Sequence, residues 1–296
     1  MRFQYLEPTT IEEAVSLLAA YDGEAKVIAG GTDLINLIRT KAIRPHYVVD
    51  IGRIQGLDHV RYDGDGALFI GALATLRALE TSHDVKQRHP VIAQAAGQLG
   101  SMAIRNVGTL GGNLCHASPA ADTAPALLSL QAEVRIAGPA GDRTVALENF
   151  FTAPGRTVLQ RREILAEIRV PPMPPLSTAV YLKHASRGAA DLAIVGVAVN
   201  LTLDSGCCRS VRIALGAVAP TPMRARIAEK VLDGKELNDA LIEQAAQAAA
   251  AESRPITDVR ASADYRREMV KVFTQWAIRT VVGKEQGAGN ETFAVL

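Results

Sequence analysis

Thr109-Leu-Gly-Gly-Asn-Leu-Cys-His-Ala-Ser-Pro-Ala-Ala-Asp122 is the stretch on which the reading of this chain turns. It holds a glycine pair, small or hydroxylated side chains, a Pro and an Asp. Adjacent glycines let the backbone adopt conformations closed to other residues and let a ligand approach the peptide groups closely. The Ser118-Pro119 pair stiffens the exit, and Asp122 is placed to cap the apolar, helix-like run from Thr123 to Leu130. A loop ending at a helix N-terminus offers N–H donors and a partial positive charge to an anionic ligand. Lys26-Val-Ile-Ala-Gly-Gly-Thr-Asp-Leu34 has the same chemistry: a short apolar strand, a glycine pair, then Thr32 or Asp33 as a cap. Two such loops imply one elongated, phosphate-bearing ligand held at two points.

The composition narrows the classes. The 296 residues suffice for two domains and a sizeable core, and 48% hydrophobic content makes the chain globular. A net charge of +1 and 4% aromatic residues argue against nucleic-acid binding. Met1 to Thr10 lacks a signal-peptide pattern, and no apolar run reaches the ~20 residues of a membrane helix, so the chain reads as cytoplasmic. Cys115, Cys207 and Cys208 are too few for an iron–sulfur cluster. The adjacent pair would point to opposite faces of a strand, which favours structural packing.

Working outward, Arg2 to Leu6 reads as an edge strand, and Thr10-Ile-Glu-Glu13 as a capping box opening a helix. Leu34 to Lys41 reads as a helix and Tyr47 to Ile51 as a buried strand. Residues 1–55 thus form a small β-α-β-α-β unit. Residues 56–170 form a larger α+β lobe. Its elements are a hairpin around Asp63-Gly-Asp-Gly66, helices at Leu76 to Ser82 and Val91 to Leu99, and strands at Val134 to Ile136, Thr144 to Leu147 and Ile164 to Val170. Pro171-Pro-Met-Pro-Pro175 cannot continue a helix or central strand and reads as a connector spanning 171–176. Residues 177–285 place three strands before three helices, a separate α+β layer domain. In its last helix Tyr265, Met269, Val272, Phe273, Trp276 and Thr280 recur at helical spacing as a core face. Residues 286–296 read as a loose tail.

Neither glycine loop is a Walker or Gly-x-Gly-x-x-Gly sequence, and a lone glycine pair marks only a tight turn. The arrangement of several segments is more specific. Ala29-Gly-Gly-Thr-Asp-Leu34, Arg105-Asn-Val-Gly-Thr-Leu-Gly-Gly-Asn113, Ser118-Pro-Ala-Ala-Asp122, Glu163-Ile-Leu165, Tyr181-Leu-Lys-His-Ala-Ser186 and Asp258-Val-Arg-Ala-Ser-Ala-Asp-Tyr-Arg266 cover nearly the whole chain. In content and order the sequence resembles the FAD-binding medium subunit of the molybdenum hydroxylases, the group that includes xanthine dehydrogenase and carbon monoxide dehydrogenase.

The resemblance implies a two-subdomain FAD-binding fold of the PCMH type followed by a C-terminal α+β layer domain of the carbon monoxide dehydrogenase flavoprotein type. Residue by residue, it implies that Ala29, Gly30, Gly31, Thr32 and Asp33 cradle the pyrophosphate and adenosine side of FAD. Thr109, Gly111, Gly112 and Asn113 would contact the pyrophosphate, ribityl chain and flavin edge. Asp122 would bond ligand hydroxyls, and as a plain N-cap it has an equally good structural role. Leu165 would pack near the flavin, and His116 could face it. Lys183 would sit at the polar edge of the ring, the alternative being a surface lysine. His116 beside Cys115 lacks metal-site spacing.

Molybdopterin and two-iron clusters are implied on partner chains: a molybdopterin-binding large subunit and an iron–sulfur small subunit, in a dimer of heterotrimers. Electrons would pass from the clusters through FAD to an acceptor such as NAD or a quinone. A self-contained FAD oxidoreductase with its own substrate is the alternative. A scaffold that has lost the cofactor is disfavoured by the intact glycine segments.

Overall fold

The computed structural model describes residues 3–188 and 190–285; the tail expected at 286–296 lies outside them. The first unit contains β1 (Gln4–Leu6), α1 (Ile11–Ala20), β2 (Ala25–Ile28), α2 (Leu34–Arg39) and β3 (Tyr47–Asp50). The strands form a parallel sheet in the order β1-β3-β2, with Val48 and Val49 of the central strand buried. Thr10 caps α1 by accepting from the Glu13 N–H at 3.1 Å. The Glu13 carboxylate reaches back to the Thr9 N–H at 2.8 Å, one residue before the position a capping box expects.

The second unit begins with the hairpin β4 (Val60–Tyr62) and β5 (Leu68–Gly71) around Asp63 to Gly66. Six short helices follow: α3 (Leu76–Thr81), α4 (His83–Arg88), α5 (Pro90–Gly97), α6 (Met102–Val107), α7 (Leu110–His116) and α8 (Thr123–Ser129). Then come β6 (Glu133–Ala137), β7 (Arg143–Ala146), the small hairpin β8 (Phe151–Ala153) and β9 (Arg156–Thr157), and β10 (Ile164–Val170). The main sheet is antiparallel in the order β4-β5-β10-β6-β7. The expected helices at Leu76 and Val91 are present. The stretch from Leu110 to His116, read as a glycine loop, is instead helix. Thr109 caps it by accepting from the Gly112 N–H at 3.0 Å, and together with burial of Leu110 and Leu114 this offsets the low helix propensity of two glycines.

After the prolines come β11 (Ser177–His184), β12 (Val195–Asp204), β13 (Cys207–Gly216), β14 (Met223–Arg224), α9 (Arg226–Leu232), α10 (Asp239–Glu252) and α11 (Ala263–Glu285). The four strands form an antiparallel meander. Val197, Val199, Leu201, Ile213 and Leu215 on one face pack against the helices. The opposite face carries Ala179, Ala198, Ala214, Gly196 and Gly216, and α8 of the second unit lies on it, buried along its whole length. A Cβ at Gly216 would stand 2.8 Å from the Pro125 ring. The prolines therefore mark a break in the chain's path while one core runs across it. Cys208 is buried and Cys207 partly exposed, on opposite faces of β13 as expected.

The expected core stripe of α11 is displaced. Val270, Phe273, Thr274, Ala277, Ile278 and Val281 are buried, whereas Tyr265 and Trp276 are 44% and 38% exposed. Apolar residues surround this helix, so spacing alone does not select the inner face. Its inner end holds Arg266, which donates to Asp258 at 2.8 Å and to the Ile194 carbonyl at 2.7 Å. No helix among the described residues is long and apolar enough to cross a membrane.

Candidate functional site

The first glycine segment leaves the C-terminal end of β2, where a parallel sheet presents its ligand-facing loops. Gly31 has φ of 72°, open to glycine with little strain. Gly30 is required for a different reason. A Cβ there would lie 1.9 Å from the Val107 carbonyl oxygen, just ahead of the second segment. The two segments, far apart in sequence, press backbone to backbone. His116 Nε2 at the far end of α7 stands 3.7 Å from Asp33 Oδ1.

Their hydrogen bonding differs. In the second segment Leu110 N–H donates to the Ala74 carbonyl, Gly111 N–H to Ala72 and Asn113 N–H to Thr109, all within 3.0 Å. With Gly112 bonded to Thr109 Oγ1, the donors expected for an anion are already engaged. The Gly111 Cβ position is also filled, at 2.6 Å from the Ala72 carbonyl oxygen. Over Gly112 an added Cβ would meet only Thr109 Oγ1, at 2.8 Å. In the first segment the N–H groups of Gly30, Gly31, Thr32 and Asp33 have no acceptor among the described residues. Neither Thr32 nor Asp33 caps α2 with its side chain, contrary to expectation. The open donor set therefore belongs to residues 30–33.

Asn113 Oδ1 accepts from Thr123 Oγ1 at 2.6 Å, tying α7 to the start of α8. There Asp122 occupies the N-cap position but makes no capping bond. Its carboxylate turns to the C-terminal sheet: Tyr181 Oη donates to Oδ1 at 2.7 Å and Lys183 Nζ to Oδ2 at 2.9 Å. Lys183 also donates to the Gln98 carbonyl, at the C-terminal end of α5, at 2.7 Å. The Lys183 and Asp122 side chains are 2% and 5% exposed, so the surface-lysine reading fails. Burial pushes the Asp122 carboxyl up against the pull of Lys183 and Tyr181, and burial beside Asp122 drives the Tyr181 hydroxyl well up.

Leu165 is buried in β10 next to a bulge, beneath the helices. The bulge places the Ala166 carbonyl to accept from Ala72 N–H, whose own carbonyl accepts from Gly111. Sheet, turn and α7 are thereby locked in sequence. Arg105 grips Glu80 through Nε at 2.8 Å and the Gly100 carbonyl at 2.7 Å, fixing the approach to α6. Cys115 is half-buried against the core, and burial of its thiol pushes it up to about 12. Among the described residues no group of three or more His, Cys, Asp or Glu could hold a metal ion. A surface cavity of about 490 Å³ lies elsewhere, lined by Thr9, Thr10, Glu12 and Arg53. Arg53 is paired with Glu7 at 2.9 Å, and the cavity touches neither glycine segment.

Sequence reasoning missed Tyr181, Gln98 and Arg105 as site-building residues. Tyr181 had a signal, since it stands two residues before Lys183 on a strand and shares its face. Gln98 contributes only a carbonyl and had none.

Residues 1–173 match the family described as the FAD binding domain in molybdopterin dehydrogenase, and residues 180–281 the CO dehydrogenase flavoprotein C-terminal domain. The chain belongs to the FAD-binding medium subunits of the molybdenum hydroxylases. It is 33% identical to the glyceraldehyde dehydrogenase medium chain of Sulfolobus acidocaldarius over 94% of this chain and 98% of that one. Identity to the xanthine dehydrogenase FAD-binding subunit of Escherichia coli O157:H7 is also 33%, over 96% and 97%. The structure of carbon monoxide dehydrogenase from Hydrogenophaga pseudoflava lacking the Mo-pyranopterin moiety superimposes with a TM-score of 0.93 at 34% identity, covering 96% of this chain and 98% of that one. This medium subunit is thus an oxidoreductase component whose cofactor is FAD, with the two-subdomain and C-terminal layout the sequence led us to expect.

Proposed function

We propose that this subunit is the electron-transfer station of a molybdenum-containing hydroxylase or dehydrogenase. It accepts electrons from two-iron clusters on a small partner subunit and passes them to an acceptor such as NAD or a quinone. A molybdopterin-binding large subunit oxidises the substrate, and the whole assembles as a dimer of heterotrimers. The observation that carries the reading is the direct contact of the two glycine segments at Gly30 and Val107. That contact creates one edge along which a dinucleotide can lie.

The residues fit FAD. The four open N–H groups of residues 30–33 suit a pyrophosphate, which backbone donors bind without the rotamer entropy that long cations lose. Thr109, Gly112 and Asn113 line the neighbouring edge, Gly111 lets α7 close on Ala72, and Leu165 supplies apolar floor. Asp122 and Lys183 form a buried ion pair at the start of α8, which Asn113 ties to α7, and His116 stands 3.7 Å from Asp33 of the first segment. When bound, FAD supplies two-electron acceptance and one-electron transfer. The chain binds, orients and tunes it; no acid–base pair is required.

The test is to purify the chain alone and with its partner subunits, and record flavin content and reduction by the complex's substrate. Stoichiometric FAD, bleached by substrate only when the partners are present, is the expected result. Direct bleaching of the isolated chain would establish the self-contained oxidoreductase instead. A flavin-free chain that cannot be reconstituted would overturn both.

A further inference from the structure

The seam between α8 and the C-terminal sheet holds a buried group that binding FAD does not by itself require. Tyr181 and Lys183, two residues apart on β11, point to the same face and take one oxygen each of Asp122. The tyrosine has little freedom. Its N–H donates to Gln94 Oε1 at 3.2 Å, and a Cβ at Gly196 would lie 2.7 Å from its hydroxyl. A buried tyrosine hydroxyl needs only one acceptor, which any carbonyl could supply. Here it takes the carboxylate that also holds a buried ammonium.

We infer that Tyr181 is a positioning residue for the flavin site. By holding Oδ1 of Asp122 it fixes the carboxylate and limits its draw on the Lys183 ammonium, and so sets the reduction potential of bound FAD. This rests on the reading of Asp122 and Lys183 as flavin-side residues. A carboxylate with two donors spreads its negative charge between them, and charge-assisted hydrogen bonds are the strong ones. Without the Tyr181 hydroxyl the whole demand falls on Lys183. Less of the ammonium's field then reaches a reduced flavin, whose negative charge it would stabilise. The C-terminal sheet, by supplying both donors, thereby adjusts a cofactor held mainly by the first two units.

The test compares the full chain, loaded with FAD, as wild type, Tyr181→Phe, Asp122→Asn and the double variant, by spectroelectrochemical titration. We expect Tyr181→Phe to fold and keep its FAD content, with a lowered melting temperature because a buried charge-assisted hydrogen bond is lost. Its potential should fall, raising the oxidised-to-reduced ratio at a fixed potential by about threefold or more. In the Asp122→Asn background the same change should have no further effect. Should Tyr181→Phe not fold, a ring-fluorinated tyrosine at 181, a stronger donor of the same shape, should move the potential upward, and no movement would overturn the inference. An unchanged potential in Tyr181→Phe, or additive effects, while Asp122→Asn shifts it, refutes the role of Tyr181 alone. If Asp122→Asn changes neither potential nor FAD affinity, the flavin-side reading of Asp122 fails and the inference with it.

Discussion

At position 30 a single methyl group would collide with a backbone carbonyl that cannot give way, since Val107 ends a helix pinned by Arg105. Gly30→Ala should force the two glycine segments apart. We expect a loss of about 2 kcal/mol of stability, typical of overpacking, and at least tenfold weaker FAD binding, read by thermal unfolding and by titration of flavin fluorescence. Normal FAD affinity in a folded Gly30→Ala chain would remove the contact from the site. Gly112→Val needs a comparator, because its Cβ presses on the Thr109 oxygen that caps α7. Thr109→Val removes the same cap, at about 1 kcal/mol, without filling the space over Gly112. If that space receives FAD, Gly112→Val must lose the larger share of affinity; equal losses would assign the effect to Thr109, as cap and as FAD contact, rather than to the space over Gly112. The glycine pairs were legible in the sequence, and the reasons for them only partly so. Local reading credits backbone freedom, which applies at Gly31. Gly30 and Gly111 are glycine because of Val107 and Ala72, neighbours no window of sequence identifies.

Among elements, the long strands and long helices could be read, as could the short α2, α3 and α8, while other short helices could not. β12, β13 and α10 carry ten or more residues each and declare their period. α4, α6 and α7 have six or seven, under two turns, too short for a stripe, and their Ser or Thr caps also suit a loop. α8 illustrates what an element gains from its surroundings. It is buried on every side, because the sheet beneath offers only small residues in the rows Gly196–Gly216 and Ala198–Ala214. Such rows let helix and sheet backbones approach closely, and a larger side chain has nowhere to go. Ala214→Leu should cost about 1–3 kcal/mol and lower the melting temperature. The same substitution at Ala103 on exposed α6 should be nearly neutral. Equal effects at both positions would mean that α8 is not seated on the sheet in solution.

Across the whole molecule, the proline segment separates β10 from β11 along the chain, while the packing joins what the sequence separates. Ala179, Tyr181, Ala198 and Ala214 belong to the core of the preceding unit, so unfolding should be one cooperative event rather than two. That union has an acid weakness at His89, which sits between α4 and α5 near Pro171. Its Nδ1 meets the Tyr62 hydroxyl at 2.9 Å, and the ring is 2% exposed. Burial first, and Arg88 nearby, lower its pKa from 6.5 to about 4, with the Pro171 backbone pulling the other way. Between these values the unfolded chain binds a proton that the folded chain refuses. The stability His89 contributes is therefore present above pH 6.5 and drains away as pH falls toward 4. The full span corresponds to about 3 kcal/mol. Asp258, held far below its ordinary 3.8 by Arg260 and Arg266, loses its contribution only in more acid solution, so the two windows separate. Urea unfolding of wild type should show a falling midpoint between pH 6.5 and 4, and His89→Phe, which cannot titrate, should flatten that fall even if its midpoint at pH 7 is lower. A variant with the wild-type slope would show that some other group carries the acid sensitivity.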